Sequence, residues 1–281
     1  MLPLLPLFCM FSSAALADWP VADDWIPLTA EGERLTDPVF DVLGPERTDI
    51  LGDDTLAAGA WYIDGDALYL RMRLNGDPCT ERNTDSECTR TSTDAWGVLM
   101  SVDGDDRDYE AALVLIEAGN RIALVDNVSG AGWEQPWRRD VDTWDPFPAF
   151  STYARVQNAA TAIEGVGDWL LDLQVPLSEL EMVIGTDYTD TLRVALVTDR
   201  EDGGDPGGED QAFNTDLAGG DSLAGALSDA LGVDEDGDGL NVGEEDELGT
   251  APDDADTDDD GLDDLEERVL GSNPRLCDSD G

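Results

Sequence analysis

From residue 60 to residue 197 the chain runs as short apolar segments separated by polar, Gly-containing breaks. The segments are Ala60 to Ile63, Ala67 to Leu74, Ala95 to Val102, Ala111 to Ile116, Arg121 to Val125, Tyr153 to Val156, Trp169 to Val175 and Thr191 to Val197. Two of them alternate cleanly. Leu68, Leu70, Met72 and Leu74 share one face against Tyr69, Arg71 and Arg73, and Leu171, Leu173 and Val175 oppose Asp172 and Gln174. A period of two is that of a strand with one buried face. Asp64-Gly65-Asp66, Asn75-Gly76-Asp77, Asp103-Gly104-Asp105 and Gly119-Asn120 supply the turns. Together these features predict a mainly β domain over 18–200, an antiparallel β-sandwich of jelly-roll type, with Trp61, Trp96 and Trp169 in its core. A helix is expected only over 177–183, with Ser178 as its N-cap.

Upstream of this domain, Leu2 to Phe11 is an apolar run followed by Ala15-Leu16-Ala17 and then Asp18. Such a run is too short to span a bilayer, and it leads into an A-x-A cleavage signature, so residues 1–17 read as an export signal peptide. Export places the rest in an oxidising compartment. Cys79 and Cys88, nine residues apart in a polar stretch, are then expected to form a disulfide that staples a surface loop, while Cys277 has no evident partner.

Charge narrows the chemistry further. Across 281 residues, 65 acidic side chains face 15 basic ones, a formal net charge of −50, and histidine is absent. All of the basic residues are Arg. A surface this acidic repels nucleic acid and anionic membranes. Without His there is no Ser-His-Asp triad and no His-based zinc or iron site, and without Lys no Schiff base. Carboxylates are abundant, but no pair is singled out at a glycosidase-like separation, and no enzymatic activity is expected. Any metal must be held by oxygen.

The landmarks Asp49 to Asp53, Ala60-Trp61-Tyr62 with Leu68 to Arg71, Trp96 to Leu99 with Asp103-Gly104-Asp105, and Asp168 to Asp172 running into Val175-Pro176-Leu177 fall in a recognisable order. Over about 38–200 the chain resembles the DOMON-like or family 9 carbohydrate-binding-module-like β-sandwich. That resemblance implies a sandwich that binds a sugar, a haem or no ligand, and the absence of His argues against haem. For the sugar alternative, Trp133, Trp137 and Trp144, with Phe147 and Phe150, lie in a stretch without strand alternation beside Asp140, Asp142 and Asp145. Such aromatics could stack on a pyranose ring, or could equally form the packing core of a long loop.

Beyond residue 200 the composition changes. Residues 201–233 open with a Gly- and Asp-rich run, Glu201 to Asp210, and read as a flexible linker. From residue 234 a repeat begins. A shift of 22 residues superimposes Asp234 on Asp256, Asp236 on Asp258, Asp238 on Asp260, Gly239 on Gly261, Leu240 on Leu262, Glu245 on Glu267, and Leu248-Gly249-Thr250 on Leu270-Gly271-Ser272. Each unit satisfies D-x-D-x-D-G-x₅-E. In that spacing, side-chain oxygens at loop positions 1, 3 and 5 converge on a cation and Gly at 6 permits the turn. Position 7 offers a backbone carbonyl, and Glu at 12 closes the sphere. The expected ligands are Asp234, Asp236, Asp238, Leu240 and Glu245 in the first unit, and Asp256, Asp258, Asp260, Leu262 and Glu267 in the second. An all-oxygen set of this number suits Ca²⁺.

Only ten residues separate the two loops, too few for the flanking helices of paired EF-hands. Residues 234–281 instead resemble bacterial thrombospondin type 3 repeats, with a third unit begun at Asp278. The resemblance implies an extended, calcium-ordered stalk on a secreted or cell-surface protein. The expectation is therefore a non-enzymatic, extracellular calcium-binding protein of structural or adhesive type. Its alternative is a carbohydrate-binding accessory module whose partner is a polysaccharide or other cell-surface component.

Overall fold

The structure is a computed structural model. It describes the chain apart from residues 1–18, 23, 40–44, 65–66, 93, 103–107, 117–120, 129–142, 148–149, 164, 186–191, 200–215, 220–222, 233–239, 241–247, 252–253, 259, 271 and 278–281. The expected signal peptide lies outside the described residues. Among the described residues no helix is long and apolar enough to cross a membrane.

The short strands β1 (Ile26–Pro27), β2 (Thr29–Ala30) and β3 (Glu33–Arg34) are followed by β4 (Gly59–Asp64), β5 (Ala67–Leu74), β6 (Cys79–Arg82) and β7 (Cys88–Thr91). Next come β8 (Ala95–Ser101), β9 (Ala111–Ile116), β10 (Arg121–Asp126), β11 (Thr143–Pro146) and helix α1 (Phe150–Tyr153). The strands β12 (Ala154–Ile163) and β13 (Val166–Pro176), helix α2 (Leu177–Ile184), and the strands β14 (Arg193–Asp199) and β15 (Asp216–Leu217) complete the sandwich, with α3 (Leu223–Ala226) after it. Two antiparallel sheets result, one of five strands in the order β1-β4-β5-β13-β12 and one of six in the order β11-β10-β9-β8-β14-β15. The mainly β, antiparallel expectation holds.

Alternation positions the core. Leu68, Leu70, Met72 and Leu74 on β5 and Leu171, Leu173 and Val175 on β13 face the second sheet, where they meet Trp96, Val98, Leu113, Leu115, Val194 and Leu196. Trp61 and Trp96 are buried and Trp169 packs against the same core. Trp96 also donates its indole N–H to the Arg47 carbonyl at 2.9 Å. The outer face of the five-stranded sheet carries the polar half of the pattern: Asp172 accepts from Arg71 Nε at 2.7 Å and from Arg155 Nη2 at 2.8 Å.

The six-stranded sheet behaves differently. Every residue of β8 is buried, because the sheet is apolar on both faces. Its second face, with Ala95, Leu99, Ala112, Val114, Val125, Ala195 and Val197, is covered by Leu217, Leu223, Ala226 and Leu227. Strands buried on both faces lose their alternation and read as continuous apolar runs.

That cover corrects the expected domain boundary. Residues 216–219 and 223–231 belong to the sandwich: β15 pairs with β14, Ser228 N donates to Val194 O, and Leu231 N donates to Leu192 O. Averaging composition over 201–233 hides Leu223, Ala226 and Leu227, whose i, i+3, i+4 spacing is that of an apolar helical face. A second correction concerns α2. Its N-cap is Pro176 rather than Ser178, and no side chain caps it; Ser178 falls inside the first turn.

Cys79 and Cys88 form a disulfide with a Cα–Cα distance of 5.7 Å, closing the β6–β7 hairpin. Cys277 is exposed and free.

Candidate metal centre

The second loop and the helix after it, α4 (Asp264–Leu270), form one unit. The loop curves because its own carboxylates accept backbone donors that the turn leaves open. Asp256 Oδ1 accepts from Asp260 N at 3.1 Å and Asp256 Oδ2 from Gly261 N at 2.8 Å, while Asp260 Oδ1 accepts from Leu262 N at 3.1 Å. Gly261 has φ +96°, a conformation open to glycine and costly for other residues, which is why loop position 6 carries it.

This curvature brings the expected ligands together. One carboxylate oxygen each from Asp256, Asp258 and Asp260 lies within 4.8 Å of the others. Glu267 projects from α4 and is 1% exposed, yet neither of its carboxylate oxygens has a hydrogen-bond partner. Both oxygens of Asp258 and Oδ1 of Asp263 are likewise buried and unpartnered. Burial raises the Glu267 carboxyl above its usual pKa, and the charges of Asp258, Asp260 and Asp264 push it the same way; the Ser272 hydroxyl donates to the Glu267 backbone carbonyl and not to the carboxylate. Asp258 is also raised, by desolvation and by Asp260 and Asp256.

A buried carboxylate without a partner is costly, and buried charge is ordinarily paired, hydrogen-bonded or bound to metal. Here several such groups share one locus with no cationic side chain at hydrogen-bond distance among the described residues. The donor set fits a hard divalent cation, whose charge supplies the missing partner. Asp256, Asp258, Asp260 and Glu267 would hold it. Leu262, the expected carbonyl donor, is half-buried at the turn.

Sequence reasoning missed the brace of this loop. Asp264 is fully buried and accepts from Thr257 N at 3.1 Å and from Thr257 Oγ1 at 2.7 Å, and Thr257 Oγ1 in turn accepts from Ala251 N at 2.8 Å. Asp264 N donates to Ala255 O at 3.0 Å. The available signal was Asp264 itself, an acid at loop position 9 that the ligand pattern leaves unused.

Of the first unit, Asp234, Asp236, Asp238 and Glu245 lie outside the described residues, and Leu240 is buried. Trp133 and Trp137 also lie outside them. Trp144 sits on β11 opposite Val125, and its side chain is not among those described. Phe147, from the same stretch, stacks on Tyr153 with centroids 4.4 Å apart and packs against the core, which is a structural use.

No family model matches the chain, and no curated protein matches it. Among solved structures it is similar to a family 9 carbohydrate-binding module from Caldicellulosiruptor kristjanssonii in complex with glucose, at 11% identity and a TM-score of 0.23, over 62% of this chain and 78% of that one. At that score the likeness carries no argument, and the functional reading rests on the chain's own residues.

Proposed function

We propose that this chain is a secreted or cell-surface, non-enzymatic calcium-binding protein, in which a β-sandwich is followed by Asp-rich repeats that order on binding Ca²⁺. The observation that carries the reading is the buried, unpartnered Glu267 beside Asp256, Asp258 and Asp260. The 22-residue repeat extends it to Asp234, Asp236, Asp238 and Glu245. Without a cation, the carboxylates of 234–281 repel one another and have little apolar surface to bury; binding offsets that repulsion and couples metal to folding. Extracellular sites of this kind bind at roughly 10⁻⁴–10⁻³ M, so external calcium suffices to fill them.

Calorimetric titration with Ca²⁺ and with Mg²⁺ tests this, alongside far-ultraviolet circular dichroism with and without chelator. Two calcium ions per chain with a gain of ordered signal is the expected result; no calcium heat and no chelator response would refute it. The alternative, a polysaccharide-binding accessory module using Trp133, Trp137 and Trp144, is tested by retention of the wild type and of Trp137→Ala on immobilised polysaccharide.

A further inference from the structure

A small cleft of about 220 Å³ opens on the outer face of the five-stranded sheet, lined in part by Trp25, Pro27, Arg34, Arg71, Arg73 and Leu170. Three of the chain's 15 basic residues thus meet at one cavity of a protein with net charge −50. Their engagement decides what they can still do. Arg71 gives Nε and Nη2 to Asp172, at 2.7 and 3.0 Å. Arg73 gives Nη1 to Asp168 and to Thr161 and Nε to the Ala57 carbonyl. Among the described residues, Nη1 of Arg71 and Nη2 of Arg73 make no hydrogen bond.

Trp25 adds a third donor. Its ring lies 3.8 Å below the Arg71 guanidinium, and its indole N–H is buried without a partner. A buried indole N–H ordinarily finds an acceptor. The nearby acids are turned to their own backbones: Asp53 accepts from Thr55 N and Leu56 N, and Asp24 from Val21 N. No carboxylate among these fills the cleft.

We propose that this cleft binds a small organic monoanion, a carboxylate on a sugar-sized body, at a site separate from both the calcium loops and the loop tryptophans. Charge selects the class. The buried Asp172 and Asp168 offset the charges of Arg71 and Arg73, and Arg155, the other partner of Asp172, is drawn over the Trp19 ring at 4.8 Å. Arg34 therefore supplies one net positive charge to the lining, enough for a carboxylate and too little for a dianion. Guanidinium N–H groups match the planar carboxylate geometry. The volume limits the body, since drug-sized ligands occupy roughly 300–1,000 Å³. Pro27 and Leu170 offer it apolar contact.

The test is calorimetric titration of the full exported protein at fixed calcium with glucuronate, glucose and sulfate. Two variants preserve the buried ion pairs. Trp25→Phe keeps an aromatic ring beneath Arg71 but removes the N–H together with the rest of the five-membered ring, and Arg34→Gln removes the unmatched charge from an exposed side chain. Saturable glucuronate binding, absent for glucose, weaker for sulfate, and reduced roughly tenfold in each variant, supports the site. Glucose binding as tightly as glucuronate, sulfate competing equally, no binding of glucuronate at millimolar concentration, or wild-type affinity in both folded variants would each overturn it.

Discussion

The Glu267 carboxyl is raised above its usual pKa by burial first and by the neighbouring Asp258 carboxylate in the same direction, and neither side chain's carboxylate has a hydrogen-bond partner. Two acids in this relation destabilise the metal-free loop and stabilise the metal-bound one. Glu267→Gln should therefore move the two states in opposite directions. We expect apo stability to rise slightly, while calcium affinity at the second loop falls on the order of tenfold or more, since ligand charge count tunes such sites. Titration calorimetry reads the loss as one site fewer per chain, and thermal melts with chelator read the gain.

Thr257 and Asp264 act on the same loop without being counted among the expected ligands. Replacing Thr257 by Val removes the hydroxyl that donates to Asp264 and accepts from Ala251 N, but changes no charge. The loop loses part of its preorganisation, and calcium affinity should fall several-fold while the number of ions bound stays the same. Unchanged affinity in Thr257→Val would mean that the brace has no part in binding.

Asp229 ties the segment after β15 to the turn between β2 and β3. It accepts from Glu31 N at 2.9 Å and from Gly32 N at 2.8 Å, at a turn where both residues have positive φ. Burial alone would raise its pKa, but the Gly32, Thr29 and Glu31 hydrogen bonds and the Arg193 charge outweigh it and lower the value. A carboxyl lowered on folding adds stability above its unfolded pKa of about 3.9, and that stability is lost as pH falls through the lower folded value. Asp229→Asn should cost about 1–2 kcal/mol at neutral pH. The gap between wild type and variant in denaturant melts should close below about pH 4; a gap that stays constant into acid would contradict the assignment.

Where pattern and physics agreed, the fold was legible. The alternation on β5 and β13 indicates which side chains face the core, and the spacing of Asp256, Asp258 and Asp260 indicates the one locus at which their carboxylates meet. What escaped was non-local. The unbroken apolar run of 95–101 implies that β8 is covered on both faces but not by which segment, and nothing around Leu223 and Leu227 says what they cover. The covering segment was hidden by its acidic neighbours. Leu227→Ala should therefore cost about 2–5 kcal/mol, the range for a buried Leu, where a linker residue would cost almost nothing. Chemical denaturation of the variant distinguishes the two.

The outer face of the five-stranded sheet is its polar side, yet it holds Asp172, fully buried between two guanidiniums and also accepting from Gln157 Nε2 at 2.8 Å. Each guanidinium is further covered by an aromatic ring, Trp25 over Arg71 and Trp19 over Arg155, so the N-terminal segment is anchored through these cations. Removing the carboxylate leaves two largely buried positive charges without their partner. Such a break costs about 3–5 kcal/mol, far more than losing an exposed ion pair. Asp172→Ala should show that loss in denaturant melts, and it should also release the N-terminal segment, seen as a changed environment of Trp19 and Trp25 in fluorescence. Arg90, whose pairing with Glu81 is exposed, supplies the control: Arg90→Gln should change stability by less than about 1 kcal/mol. Equal effects of the two substitutions would show that the Asp172 network contributes no more than a surface pair.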